Sequence, residues 1–243
     1  MFTAARADRS IGRLPLREEF AITVRPFIVK DCALITLATG RRALNLRELR
    51  DGIEKCSPAS IEYHFFSSQL RPSFDDPEYH NDFALWARHA LHDRPLAERL
   101  GVLDPLQYDS LESLRLALLD VFEERLSESE FVTWSAREYE FIFLRGQVVV
   151  FETGLEAATA KEMARLIPRL STGSVFYLFV ESRRRSPVGL DDFSAWLATT
   201  PNGSAILAER LSRVNYYFVS LTELRDELEV VFSEFLKASG EQP

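Results

Sequence analysis

The sequence predicts a mainly α-helical fold that consists of a tandem duplication of one helical unit, with an α+β fold as the alternative. First, residues 27–71 align without a gap on residues 141–185, and thirteen of these 45 positions are identical. Second, the run Leu-Ala-Glu-Arg-Leu occurs at 96–100 and again at 207–211. Third, both halves end in an apolar stripe with helical spacing. We expect the two units to pack about a pseudo-twofold axis, as the subunits of a symmetric dimer do.

The duplication divides the chain into five parts. We expect a mobile arm at 1–20, a first repeat at 21–126, a linker at 127–136, a second repeat at 137–238 and a tail at 239–243. Four arginines in a segment that lacks a long apolar run favour a mobile arm. Ser, Glu and Thr around Trp134 favour a linker.

Each half is expected to open with a short β-hairpin. In the second half, residues 139–143 alternate between apolar and polar, Arg145-Gly146 is typical of a turn, and residues 147–151 are β-branched or aromatic with one Gln. In the first half, Pro26 lacks a backbone donor and therefore confines the strand to an edge.

Helices are predicted to follow these hairpins. The first are expected at 46–56 and 157–170, and Ser60 and Ser174 are expected to cap the helices that come next. Apolar residues also alternate over 175–180, so whether 60–70 and 174–185 are helix or strand stays open.

The remainder of each half also has a helical pattern. A helix is predicted at 82–91, and Pro95 begins another that Gly101 ends in the left-handed region. The last helix of each half begins at Ser110 or Ser220. Ser220 and Glu223 have the spacing of a capping box.

Composition limits the classes of function. The formal net charge of −8 makes nucleic acid an unexpected partner, because the chain as a whole repels phosphates. No apolar stretch approaches the 18 residues of a membrane span, so no membrane partner is expected. Cys32 and Cys56 are expected to be free, buried thiols in a cytoplasmic protein. No cofactor is predicted, and the oligomeric state stays open.

The most distinctive polar residues are His64, Asn81 and Asp82, which form the candidate polar cluster. One interpretation is that His64 and Asp82 form a hydrogen-bonded pair at the mouth of a cleft, a geometry suited to general base catalysis. The structural interpretation is favoured, with Asp82 as a helix cap and His64 bonded to backbone or to Asn81. No catalytic residue and no metal ligand is predicted, because the histidine spacings match no metal motif.

Three short motifs resemble those of a known family. They are Ser60-Ile-Glu-Tyr-His-Phe65, Asn81-Asp-Phe83 followed by Trp86, and Leu96-Ala-Glu98. The pattern resembles an uncharacterised bacterial family, domain of unknown function 5752. The resemblance implies that this chain has homologues, but no reaction is established for the family.

Function is predicted as non-catalytic binding of another macromolecule, with a protein as the expected partner. One alternative is a DNA-binding regulator that uses a helix-turn-helix at 46–70. Another is a hydrolase or metal-dependent enzyme centred on His64. The basic run Arg183-Arg184-Arg185 is a candidate anion-binding site.

Overall fold

The structure is a computed structural model that describes residues 25–71, 79–128, 132–200 and 205–240. The predicted arm at 1–20 lies outside the described residues, as do 129–131 of the predicted linker and 241–243 of the predicted tail. The division of the chain into two repeats and a linker therefore stays a prediction.

The fold is mixed α+β, so the prediction of a mainly α fold made from a duplicated helical unit is wrong. Strand β1 (Phe27–Ala43) pairs with strand β2 (Phe141–Ala157) in a two-stranded antiparallel sheet, which we call the ribbon. The pairing runs from Phe27 opposite Ala157 to Ala43 opposite Phe141. Neither half opens with the predicted hairpin, and a tandem duplicated helical unit is not shown.

The predicted turn at Arg145-Gly146 lies inside β2, where Gly146 pairs with Thr36. A Cβ atom at Gly146 would lie 2.9 Å from Cδ1 of Leu34 and 3.1 Å from Cδ2 of Tyr63. This glycine therefore makes room for neighbouring side chains and does not reverse the chain. Strand β1 begins directly after Pro26, which has no backbone N–H to contribute to the sheet.

Helices follow each strand. After β1 come α1 (Leu46–Lys55), α2 (Pro58–Phe65), α3 (Asp82–His89), α4 (Arg94–Gly101) and α5 (Leu111–Ser127). After β2 come α6 (Ala160–Leu166), α7 (Thr172–Val175), α8 (Ser182–Arg185), α9 (Asp192–Leu197), α10 (Ala205–Ser212) and α11 (Leu221–Ala238). A π-helical segment, Phe176–Glu181, joins α7 to α8, so the alternative of a strand at 175–180 is wrong.

Several helices are capped by residues other than those predicted. Asn81, and not Asp82, caps α3, because its side chain accepts a hydrogen bond from Ala84 N–H. Ser60 does not cap a helix but lies buried within α2, and the side chain that caps α7 is that of Ser171. Gly101 is the last residue of α4 and does not have a positive φ. The capping box of α11 at Ser220 and Glu223 is confirmed.

The ribbon has one face toward the helices and one face toward solvent. Cys32 is buried, Val148 packs against the hydrophobic core, and Thr36 contacts Tyr63. Side chains alternate along a strand, so the neighbouring positions point the other way. The solvent side, which we call the ribbon face, includes the exposed residues Ala33, Ile35, Gln147, Val149 and Phe151.

Candidate functional site

His64 lies on the face of α2 that packs against β2, and only 1% of its surface is exposed. The N–H of Leu144 in β2 donates to Nε2 of His64 at 3.1 Å. Because Nε2 accepts this bond, it carries no proton, and Nδ1–H donates to Oδ2 of Asp82 at 2.6 Å. Both ring nitrogens are therefore occupied within the protein.

The hydrogen-bond chain continues through Asp82 to the end of the segment after α2. Arg71 donates from Nη2 to Oδ1 of Asp82 at 2.5 Å, and its guanidinium lies 5.4 Å from the centre of the Tyr63 ring. About two fifths of the Arg71 side chain is exposed, whereas Asp82 is largely covered. Leu144, His64, Asp82 and Arg71 thus form a relay that joins β2 to α2, α3 and the residue after the short 3-10 turn at Ser67–Leu70.

Helix α2 binds both backbone groups of Leu144. Ser60 donates its hydroxyl hydrogen to the Leu144 carbonyl at 2.7 Å, while His64 accepts from the Leu144 N–H. A strand at the edge of a sheet leaves such groups unpaired unless another element satisfies them. Two side chains of one helix therefore cover the free edge of β2 at this residue.

An open cleft of about 580 Å³ lies beside this relay, between α3 and the start of β2. Its walls are mostly apolar and include Leu85, Trp86, Tyr139 and Ile142, with Arg71 and Glu140 among its charged residues. Trp86 donates its indole N–H to the Tyr139 carbonyl at 2.7 Å, which fixes the two walls relative to each other. Tyr139 is 64% exposed and Ile142 40% exposed, so the cleft opens to solvent.

The structure brings together two members of the predicted polar cluster but not the third. His64 and Asp82 are hydrogen-bonded to each other, as in the interpretation that the sequence favoured less. Asn81 is fully buried, and it caps α3 and donates to the Leu100 carbonyl at 2.9 Å, away from the relay. Sequence reasoning missed Arg71 and the Leu144 N–H. A backbone donor has no sequence signal, and the sequence marks Arg71 only through its identity with Arg185 in the alignment of 27–71 with 141–185.

The three arginines of the candidate anion site have separate partners. Arg183 donates to the Leu211 carbonyl at 2.6 Å and lies over the Phe179 ring. Arg184 pairs with Glu62 at 2.8 Å and with Glu181 at 3.4 Å, and Arg185 pairs with Asp192. The guanidinium groups are thus directed to different elements and do not converge on one site.

Burial raises the pKa of the Glu181 carboxyl above its ordinary value, and the nearby Glu62 carboxylate adds to this increase while Arg184 opposes it. Burial also raises the pKa of the Cys32 thiol to about 12. Cys32 and Cys56 are free and buried, as predicted. A thiol with this pKa stays protonated at neutral pH and is a poor nucleophile.

Across the described ranges, no three His, Cys, Asp or Glu side chains form a group that could hold a metal ion. In the same ranges no helix has the length and apolarity needed to span a bilayer.

Comparison with known proteins identifies a family. A family model described as a family of unknown function, DUF5752, matches residues 24–233. The chain belongs to this family. The resemblance indicated by the motifs at 60–65, 81–86 and 96–98 is thereby confirmed. A solved structure similar to this DUF5752 protein is that of OrfY from Thermoproteus tenax, with a TM-score of 0.71 and 31% identity. The match covers 86% of this chain and 95% of OrfY. The comparison with curated proteins finds no match.

Proposed function

We propose that the protein is a non-catalytic binding protein that receives an apolar side chain of a protein partner in the cleft beside α3. The observation that carries the proposal is that the histidine at this cleft has both ring nitrogens bonded within the protein. A general base needs a free nitrogen within reach of the substrate proton, and His64 offers none in this arrangement. The surrounding walls, in contrast, offer apolar and aromatic surface.

The lining of the cleft supports a protein as the partner. Tyr139 and Trp86 belong to the residue types that are enriched at protein interfaces, and Arg71 and Glu140 supply both signs of charge. Tyr139 and Ile142 are exposed, whereas most aromatic side chains among the described residues are buried in the core. We place this interaction in the cytoplasm, because two free, buried cysteines are typical of a reducing compartment.

The geometry gives less support to the two alternatives. A hydrolase or metal enzyme centred on His64 would require one of its nitrogens to leave the relay. A DNA-binding helix-turn-helix at 46–70 would require an exposed recognition helix, and five of the eight residues of α2 are buried.

Photo-crosslinking tests the proposal. We expect a benzoylphenylalanine at position 139, introduced in the native host, to crosslink a specific protein, whereas the same residue at the exposed Val230 of α11 does not. Ile142→Arg should abolish the crosslink because it places a charge in the apolar wall, and Val230→Arg should leave it unchanged. The absence of any crosslinked protein at position 139, or the same set of proteins at both positions, would overturn the proposal.

A further inference from the structure

The two ends of the cleft beside α3 differ in charge. Arg71 pairs with Asp82 at 2.5 Å at the start of α3, so these two charges neutralise each other. Trp86 donates its indole N–H to the Tyr139 carbonyl one helical turn further along α3. A helical turn advances about 5.4 Å along the axis, so Tyr139 and its neighbours lie at the other end of the cleft.

Two carboxylates flank Tyr139 at this end, which we call the acidic end. Glu138 and Glu140 both line the cleft, and Tyr139 between them is 64% exposed. Glu140 pairs with Arg42 at 2.5 Å. Glu138 is exposed, and among the described residues it forms no ion pair. Of the Asp, Glu and Arg side chains that line the cleft, Glu138 therefore carries the charge that no described residue balances.

We propose that the segment of the protein partner that enters this cleft has a lysine or arginine next to its apolar residue, and that this cation binds at the acidic end. The inference rests on the proposed binding function of the cleft. The apolar side chain packs on Leu85 and Ile142, and the adjacent cation reaches the Glu138 carboxylate and the Tyr139 ring. A carboxylate and an aromatic face both attract a cation. An acidic segment would instead meet charges of its own sign at Glu138 and Glu140.

The surroundings of α9 resemble those of α3 but lack an acidic end. Trp196 of α9 donates its indole N–H to the Arg25 carbonyl at 3.2 Å. The first residue of α9, Asp192, pairs with an arginine, as the first residue of α3 does. An exposed arginine thus takes the place that Tyr139 has beside α3. Trp196 therefore has a similar helical environment next to a positive charge, and it serves as an internal control for binding at Trp86.

Peptide titration of the full chain, followed by NMR, tests the preference for a cation. The probes are blocked hexapeptides, Gly-Ser-Leu-Arg-Ser-Gly and the same peptide with Glu or Gln in place of Arg. Protein with isotope-labelled tryptophan reports binding through the indole signal of Trp86, which Trp86→Phe assigns. We expect the Arg peptide to shift this signal with a millimolar Kd. The Gln peptide should bind about threefold more weakly and the Glu peptide about tenfold more weakly, while the Trp196 signal should not move.

Charge reversal at Glu138 provides the decisive variant. Glu138→Lys should reverse the order, so that the Glu peptide binds better than the Arg peptide. Glu227→Lys, at an exposed position of α11, makes the same change in net charge and should leave the order unchanged. Raising the salt concentration should weaken binding of the Arg peptide to wild type but not binding of the Gln peptide. The indole signals of each variant without peptide establish that it is folded.

Two kinds of result would overturn this inference. One is equal affinity for the peptides, the absence of a Trp86 shift with all of them, or an equal shift at Trp196. The other is a Glu138→Lys variant that keeps the wild-type order. Neither changes the crosslink expected at position 139, which tests a native partner and needs no peptide. The absence of that crosslink overturns the proposed function, whereas the peptide titration measures the charge preference of the cleft, so the two failures are distinguishable.

Discussion

His64 contributes to the fold through the direction of its two hydrogen bonds. Its Nε2 accepts a hydrogen bond from Leu144 at the edge of β2, and its Nδ1–H donates one to Asp82, the first residue of α3. A side chain of similar size without these nitrogens would leave the Leu144 N–H and an oxygen of Asp82 without a protein partner in half-buried positions. Polar groups that lose their partner in such positions lower the stability of the fold.

We therefore expect His64→Leu to lower the free energy of unfolding by about 2–4 kcal/mol. Urea denaturation followed by circular dichroism measures this change. As a control, Glu98→Gln breaks the exposed ion pair with Arg94, at 2.8 Å, and should cost less than about 0.5 kcal/mol. A His64→Leu variant as stable as wild type would show that the relay does not support the fold.

At the scale of the elements, α1 contacts β2 at a glycine of the helix. A Cβ atom at Gly52 of α1 would lie 2.3 Å from Cζ of Phe143, which is fully buried in β2. Alanine is a better helix former than glycine by about 0.5–1 kcal/mol. At this position, however, the added methyl group has no space unless the helix or the Phe143 ring moves.

Gly52→Ala should therefore destabilise the protein by about 1–3 kcal/mol, although it improves helix propensity. Thermal unfolding of Gly52→Ala, compared with that of wild type, shows whether the substitution lowers or raises stability. Glu54→Ala changes an exposed residue of the same helix and should alter stability by less than about 0.5 kcal/mol. An increase in stability for Gly52→Ala would mean that α1 and β2 are less tightly packed than the structure shows.

The sequence predicts some elements better than others, because the patterns that indicate a helix are local whereas the pairing of two strands involves distant residues. Helices such as α5 and α11 have a cap and an apolar stripe within one short segment, and both begin where Ser110 and Ser220 predicted. The ribbon depends on pairing between residues far apart in the chain, which local alternation does not reveal. Arg145-Gly146 therefore suggested a turn, since nothing local showed that Thr36 lies opposite the glycine.

The members of the candidate site also differ in how well the sequence predicts them. A pair of His64 and Asp82 was one of two interpretations, and the less favoured one, because both residues lie in distinctive motifs but Asp82 also suggested a helix cap. The other two members of the relay, Arg71 and the Leu144 N–H, required knowledge of how β2 approaches α2. The ribbon face could not be predicted, because Ile35, Val149 and Phe151 have the same residue types as the core and only the fold shows that they are exposed.

At the scale of the whole molecule, Arg184 connects α8 to α2 through Glu62 and also contacts Glu181. Two carboxylates thus share one guanidinium in a partly buried position. Burial raises the pKa of Glu181 above its ordinary value of 4.5, so the folded protein holds this proton more tightly than the unfolded chain.

Because the folded state binds more protons in the window above pH 4.5, the free energy of unfolding should fall as pH rises through the Glu181 pKa of the folded protein. The variant Glu181→Gln has no titratable carboxyl at this position. The stability of wild type relative to this variant should therefore decrease with rising pH, as measured by urea denaturation between pH 4 and pH 8. A difference that is constant with pH, or that increases, would contradict a raised pKa at Glu181.

The ribbon also has a consequence for the order of events during synthesis. Residues 27–43 leave the ribosome well before residues 141–157, so β1 exists for a time without its hydrogen-bonding neighbour. An unpaired strand with an apolar surface is prone to intermolecular association. Strand β1 therefore stays unpaired until β2 has been synthesised. The sheet forms late, and the earlier formation of local helices does not make it form sooner.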